Sequence, residues 1–482
     1  MYDLRPVGYV IGLLVLVLGL TMLVPMGVDL YYRNGHWPVF FESAVLTILP
    51  GILLALSCAN GVEPRLTIQQ TFLLTTGVWL ALPLFGALPF VLGATTAPFV
   101  DALFESMSGL TTTGSTVFTG LERLPEGLLF WRGMLQWFGG VGIIVVAMVF
   151  LPELRVGGMQ IFKSEAFDTM GKILPRAGEI AQQISVIYLG LTLICAVTYT
   201  ALGMETFEAI VHSMTTVSTG GFSTSDASFG AFQGPMEYAA SVFMILASLP
   251  FVRYVQIIAG SARPLFVDTQ VRAYLTTIFI LTIFFAVYRL VVNGDHLEHG
   301  FREAIFNVTS IISGTGYASV DYQEWGAIAV VVFFFIGLIG GCAGSTACSI
   351  KIFRYQLLMA SILTQLRRLY APHGIFEPRY EGRKVSEEVL SSVMAFFVMF
   401  FVSLGIVSML LALTGLDFVT SVSGAATALA NIGPGLGAEI GPAGSFTNLG
   451  DTAKWILTVS MLVGRLELMA VFVLFTTQFW RG

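Results

Sequence analysis

The chain has 482 residues, of which 55% are hydrophobic and only 11% charged, and its net charge is −6. An average soluble domain carries roughly 25% charged residues, and its outer shell must be wetted. This composition excludes a soluble enzyme, a disordered chain and a nucleic-acid binder, which needs a basic field, and leaves a polytopic membrane protein.

The first apolar run, Val7 to Pro25, is long enough to span and has no small-residue cleavage site, so it reads as a span rather than a cleaved signal. Further candidate spans run 39–59, 69–93, 130–151, 181–203, 236–261, 273–293, 327–352, 389–413 and 452–480. Each is near the ~20 residues a membrane helix needs. Cys58, Cys195, Cys342 and Cys348 form no CxxC pair and read as buried small residues.

Between alternate pairs of spans lie stretches too short and polar to cross: 99–120, 205–225, 300–320 and 417–437. Fourteen-residue windows in these stretches align: Asp101–Gly114 (DALFESMSGLTTTG), Glu208–Gly221 (EAIVHSMTTVSTGG), Glu303–Gly316 (EAIFNVTSIISGTG) and Thr420–Gly433 (TSVSGAATALANIG). They mark an internal repeat of on the order of a hundred residues. Each unit reads span, short helix, glycine turn, span. The chain divides into an N-terminal hairpin at 1–66 and four units at 67–178, 179–270, 271–386 and 387–482. The expected fold is an all-α polytopic membrane protein. Its four span–pore-helix–span repeats stand in pseudo-fourfold arrangement around one pore, with the two-helix hairpin outside.

With the amino terminus placed inside, most of the 24 Lys and Arg fall on the inner side, among them Arg155, Lys163, Lys172, Arg176, Arg354, Arg367, Arg368, Arg379, Arg383 and Lys384. The positive-inside rule supports that orientation. Most of the 30 Asp and Glu then fall outside, and an acidic mouth concentrates cations, although acidic loops are also ordinary solvated surface. The inner loops 152–180 and 354–388 contact anionic headgroups or dock a cytosolic regulator; the residues alone do not separate these.

Irregular backbone at membrane depth is tolerated only where protein buries it or water lines it. Four equivalent segments suggest a ring, each short helix pointing its partially negative carboxyl end at the axis. The candidate lining is Thr112-Thr113-Gly114, Thr219-Gly220-Gly221, Gly314-Thr315-Gly316 and Asn431-Ile432-Gly433. Glycine lets successive carbonyls aim inward, and a carbonyl ring replaces the hydration shell of an alkali cation. The triplets hold no carboxylate, which favours a monovalent ion over calcium or magnesium. Glycine and threonine also pack helices closely, but recurrence at repeat spacing argues for a shared role.

The span after the third segment is interrupted by Gly340-Gly341-Cys342-Ala343-Gly344-Ser345-Thr346. A continuous helix loses roughly 1 kcal/mol per interior glycine, so the run reads as a break. Ser345 and Thr346 are placed to satisfy the freed backbone groups. Beneath the candidate lining, such a loop would be placed to block the pore and to swing aside. Arg465 sits mid-span in the last segment, where a charge costs roughly 2.5–3.5 kcal/mol and should face the pore or a partner. Glu467 is two residues on, so the two should not pair. Arg253 reads as a helix-packing charge, Lys351 as snorkelling to the cytosol, and His212 as packed within the second pore helix.

SMSGLTTTGS, SMTTVSTGGFSTSD, SGTGYA and NIGPGLG, followed by GGCAGST and VGRLEL, carry a resemblance across nearly the whole chain. The chain resembles the Trk/Ktr/HKT superfamily of potassium transporters, and within it the TrkH type, which the leading hairpin also suits. The resemblance implies one filter glycine per repeat, here Gly114, Gly221, Gly316 and Gly433. It implies an intramembrane gating loop at Gly340, Gly341, Gly344, Ser345 and Thr346, with Arg465 in the pore against it. It further implies potassium as the transported ion, a homodimer in membrane lipid, a bacterial inner-membrane location, and a TrkA-like cytosolic ring that regulates opening. No GxGxxG follows a strand here, so a nucleotide would bind only to that partner.

Two rivals differ in class. A symporter coupling potassium entry to protons or sodium would show inverted repeats and a midplane acid; here every pore segment starts outside, and Glu467 is the one candidate acid. An intramembrane enzyme would need a nucleophile with its base or a metal cluster, and five histidines without HExxH supply neither. The expectation is a potassium uptake pore, not an enzyme.

Overall fold

The computed structural model describes residues 3–61, 66–146, 158–159 and 177–481. Arg155, Lys163, Lys172, Arg176 and most of the inner loop 152–180 lie outside the described residues. The fold is helical. Among the described residues, seven helices are long and apolar enough to cross a membrane, or nine when two sharply bent pairs each count as one span. The remaining expected span, 327–352, is split: its helix Ala327–Gly337 is too short to cross. The protein is a multi-pass membrane protein.

The hairpin pairs Arg5–Thr21 and its continuation Leu23–Tyr32 with Trp37–Cys58. Small residues let the two backbones touch: a Cβ on Gly12 would lie 2.6 Å from the Ala55 nitrogen, and one on Gly51 2.6 Å from that of Leu16. Close approach of this kind is how membrane helices gain packing energy without a hydrophobic drive. Cys58, at the hairpin's end, is only half-buried, unlike the other three cysteines, its sulfur packed against Gly8 of the facing helix.

Each repeat then delivers an outer helix, a pore helix and an inner helix. The outer helices are Ile68–Gly86, Ala177–Ala201, Thr269–Tyr288 and Glu387–Leu413. The pore helices are Phe99–Leu110, Thr206–Val217, Leu297–Ser313 and Phe418–Ala430. They are short and buried along most of their length, enclosed by the longer helices.

The inner helices differ, and the differences shape the site. Glu126–Val145 of the first repeat is continuous. The second bends by 89° between Pro235–Ala247 and Phe251–Ile258, where Pro250 blocks helical geometry at Leu249. The third breaks after Gly337 and resumes at Ile352–Tyr370. The fourth bends by 102° after Asp451–Arg465; the turn places Glu467 and Leu468 at φ 61° and 48°, in the left-handed region. Two short ladders qualify the all-α expectation. Ile339–Gly340 pairs in parallel with Ile350–Lys351 and closes the base of the interrupting loop, and Arg379–Tyr380 pairs antiparallel with Arg383–Lys384.

Candidate cation pathway

Every pore helix ends in the same backbone figure. The residue that stops it is left-handed: Thr112, Thr219 and Asn431 at φ 51°, 52° and 52°, and Gly314 at 75°. Two residues on, each glycine is left-handed again: Gly114 at φ 87°, Gly221 at 77°, Gly316 at 79° and Gly433 at 110°. In three repeats the intervening amide bonds back into the helix end, Thr113 to the Ser108 carbonyl, Gly220 to Thr215 and Ile432 to Thr427, at 2.9, 2.9 and 3.1 Å. This is a helix-closing motif that saturates the last carbonyls. A left-handed β-branched threonine is strained, and strain of this kind persists where surrounding structure over-determines it.

The four turns close on one another. A Cβ on Gly114 would strike the Gly220 carbonyl oxygen, one on Gly221 that of Thr315, and one on Gly316 that of Ile432; one on Gly433 would lie 2.9 Å from that of Thr113. The order is first to second, second to third, third to fourth, fourth to first. So the predicted triplets of all four repeats meet in a single ring, and their four glycines line one vestibule of about 220 Å³.

Side chains behind the ring fix it. Gln136, on the first inner helix, donates to the Gly220 carbonyl at 2.6 Å and accepts from the Phe222 amide at 3.0 Å. Asn431 donates to Thr113 Oγ1 and to the Met461 carbonyl, both at 2.9 Å. The Thr111–Thr113 and Ser313–Thr315 hydroxyl pairs, each at 2.7 Å, brace the first and third turns alike. The Ser115 hydroxyl donates to the Gly433 carbonyl at 2.7 Å. Glu105 and Arg132 form a buried ion pair at 2.8 Å, and Arg132 also donates to the Ser223 carbonyl at 2.7 Å, tying the first repeat to the second turn. Sequence reasoning passed over Gln136, Glu105 and Arg132. A carboxylate within a pore helix and an arginine within a span were the available signals.

Beneath the ring lies the interrupting loop. Its stem is the Gly340–Lys351 ladder. The Cys342 amide bonds to the Ser248 carbonyl at 3.0 Å, and the Ala343 amide to Gln270 Oε1 at 2.9 Å. Gly344 offers its carbonyl to the Phe251 amide at 2.9 Å. Ser345 caps the loop itself, donating to the Cys342 carbonyl at 2.7 Å, and Thr346 donates to the Ala247 carbonyl at 2.9 Å. Gly341 packs against Ala347 and Ser248. The loop therefore docks against the break in the second inner helix.

Two further residues, just past the Gly340–Thr346 run, reach the pore-helix ends. The Cys348 amide bonds to the Ser313 carbonyl at 3.2 Å and the Ser349 amide to the Ala430 carbonyl at 2.8 Å. The Cys348 sulfur lies 3.4 Å from Thr112 Oγ1. Arg465 completes this layer: one guanidinium nitrogen is 3.0 Å from Cys348 Sγ and another 3.4 Å from the Gly139 carbonyl.

The other charges fall into place around the loop. Lys351 does not snorkel: it is buried, and its ammonium donates to the Ala347 carbonyl, because the ladder turns it back into the loop. Glu467 pairs with Arg354 rather than with Arg465. Arg253 binds Asp268, the helix cap of the third outer helix, at 2.8 Å. His212 is packed, its Nδ1 2.8 Å from the Glu208 carbonyl and its Nε2 3.0 Å from the Ser223 hydroxyl.

Known proteins match this chain along its whole length. The TrkH family, described as "Cation transport protein", matches residues 36–481. The Trk system potassium uptake protein TrkI of Halomonas elongata is 42% identical over 478 residues, covering 99% of this chain and 97% of that protein. The Trk system potassium uptake protein TrkH of Escherichia coli is 36% identical over 488 residues, covering 99% of each. The crystal structure of the potassium transporter TrkH from Vibrio parahaemolyticus superposes with a TM-score of 0.92 at 33% identity, covering all of both chains. With a family match over most of its residues and relatives of this identity over its full length, the chain belongs to the TrkH family of cation transport proteins.

Proposed function

We propose that this chain is the pore-forming subunit of a potassium uptake system in a bacterial inner membrane. The observation that carries the reading is the closed ring of Gly114, Gly221, Gly316 and Gly433, each packed on the preceding carbonyl of the next repeat. Such a ring presents backbone oxygens to a dehydrated monovalent cation, and relatives of the chain are named potassium uptake proteins. In this reading the repeats 67–178, 179–270, 271–386 and 387–482 each contribute one triplet: Thr112-Thr113-Gly114, Thr219-Gly220-Gly221, Gly314-Thr315-Gly316 and Asn431-Ile432-Gly433.

The gate is the Gly340–Ser349 segment with Arg465. Its hydrogen bonds to Ser313 and Ala430 hold it across the carboxyl ends of two pore helices, whose partial negative charge otherwise favours a cation. The arginine places a fixed positive charge on the same path. Opening moves the loop off these ends. The chain acts as a homodimer, with a TrkA-like cytosolic ring that binds the nucleotide and pulls on the inner face. It is a transporter and not an enzyme. For the coupled alternative the relevant acid is Glu467, and Arg354 occupies it.

The test is growth. Expressed in a bacterial strain lacking its own potassium uptake systems, the chain should restore growth at low potassium, and Gly221→Ser should abolish that rescue at equal protein level. Failure of the wild-type chain to rescue with a TrkA-type partner co-expressed, or full rescue by Gly221→Ser, would sink the reading.

A further inference from the structure

A second cavity lies away from the ion path. It has a volume of about 440 Å³ and sits between the first helix of the hairpin, the first outer helix and the first inner helix. Its mouth is on the flank of the bundle, past Leu14 and Val17, which are 37% and 52% exposed. These residues lie mid-way along the span Arg5–Tyr32, so the mouth opens at hydrocarbon depth.

Among the described residues the lining has no charged side chain, and the Trp79 indole N–H is its one unengaged side-chain donor, too few polar partners to hold a water. Its three hydroxyls are spent on their own helices: Thr21 on the Leu18 carbonyl at 2.7 Å, and Thr75 and Ser185 on those of Thr71 and Ala181, both at 2.8 Å. Buried water needs two to four polar partners, and apolar cavities stay dry; an engineered apolar cavity of about 150 Å³ in another protein binds benzene. This one is nearly three times that size and faces lipid. We propose that it is a binding site for one acyl chain of a membrane phospholipid.

The site touches the gate. Its floor is Trp79, and the Arg465 guanidinium stands 5.8 Å from the centre of that ring. Gly139, in the lining, offers its carbonyl to Arg465. An acyl chain seated here presses Trp79 toward Arg465 and holds the arginine at Cys348. This coupling rests on the transport reading above, whereas occupancy of the cavity does not.

Gly142 supplies the test, because a Cβ there meets only Trp79, at 3.9 Å, leaving room for a larger side chain to fill the cavity. The full-length protein is reconstituted in vesicles containing a phosphatidylcholine with a photoactivatable diazirine in one tail, irradiated, and mapped by peptide mass spectrometry. Wild type should label at Trp79 and Phe138 at least as strongly as at Leu193, a lipid-facing residue that is 57% exposed. Gly142→Leu should cut the cavity labelling by about tenfold, the change that about 1.4 kcal/mol of lost affinity gives, while Leu193 labelling is kept. Val78→Trp, filling from the opposite wall, should act the same way if Gly142→Leu fails to fold. Labelling at Leu193 without labelling at Trp79 or Phe138 would mean that protein fills the cavity, and would overturn the proposal, as would cavity labelling unchanged in a folded filled variant. Rubidium flux that varies with acyl-chain length in wild type but not in Gly142→Leu supports the coupling to Arg465; equal dependence in both refutes the coupling alone.

Discussion

Arg465 and Cys348 meet directly beneath the ring, with 3.0 Å between a guanidinium nitrogen and the sulfur. The two lie 117 positions apart in the chain, and they join the turn of the last inner helix to the loop of the third. An arginine buried at membrane depth is costly unless it is engaged. Here the engagement ties a positive charge to the segment that crosses the path. Arg465→Ala should raise basal rubidium flux by about tenfold, since removing a fixed charge from a focusing cleft changes local cation concentration by that order or more. Cys348→Ala should raise it less, because the charge stays. Flux at or below wild type in Arg465→Ala, at equal protein level, would assign the arginine a purely structural role.

The ring glycines are constrained twice over, by a left-handed backbone and by a neighbouring carbonyl where a Cβ would go. A side chain in the left-handed region costs roughly 1–2 kcal/mol, and relief of the contact must displace the carbonyl. Gly114→Ser and Gly433→Ser should therefore reduce discrimination of rubidium over sodium by about tenfold, equivalent to about 1.4 kcal/mol. Gly27→Ala, with open space around it, should leave it unchanged. Wild-type discrimination in a folded Gly114→Ser protein would count against the ring as the selective element.

Arg354, fully buried, and Glu467, largely so, form an ion pair that pins the bend of the last inner helix to the helix leaving the loop. The Arg354 guanidinium also lies 3.9 Å above the Phe396 ring. Removing one partner of a buried pair costs about 3–5 kcal/mol, whereas replacing both by apolar residues is often neutral. Glu467→Ala should lower the Tm of the purified protein, and Arg354→Met combined with Glu467→Met should recover much of the loss. An unchanged Tm in Glu467→Ala would show that the bend holds without the pair.

Outside the membrane, Glu122 and Asp226 bracket the outer loops of the first two repeats. Glu122 accepts from the Ser225 hydroxyl at 2.6 Å and the Asp226 amide at 2.9 Å, while Asp226 accepts from the Gly120 amide at 2.6 Å. The Ser225 hydrogen bond holds the Glu122 carboxyl below the ordinary carboxylate range. A carboxylate with a lowered folded pKa adds stability above its unfolded value, about 4.3, and loses it only as pH falls through the folded value. Acidifying the outside from about pH 7 to about pH 5, still above that value, should leave the bracket intact and uptake level. A fall in this window that Glu122→Gln removes would contradict the assignment.

The repeat was legible because it is local: a fourteen-residue window ending in glycine recurs, and glycine at those four positions is what the left-handed turns demand. The break at Gly340–Thr346 was legible for the same reason. The partners were not. Gln136 reaches the second turn across 84 positions and Arg354 reaches Glu467 across 113, and pairings at such separation leave no periodic trace. Cys348 and Ser349 lie just past the Gly340–Thr346 run and carry no signal of their own, while in the structure their amides cap two pore helices. Lys351 was misplaced because snorkelling is the default for a lysine at a span's end, and the two-residue ladder that reverses it has no sequence signature.

The central claim is passive, selective movement of a monovalent cation through the four-glycine ring. Its most direct test is rubidium-86 uptake into proteoliposomes holding this chain alone, with potassium and sodium as competitors. The account predicts saturable uptake without an imposed proton or sodium gradient, blocked by potassium better than by sodium. Uptake that arises only when a second ion gradient is imposed would contradict it and move attention to Glu467.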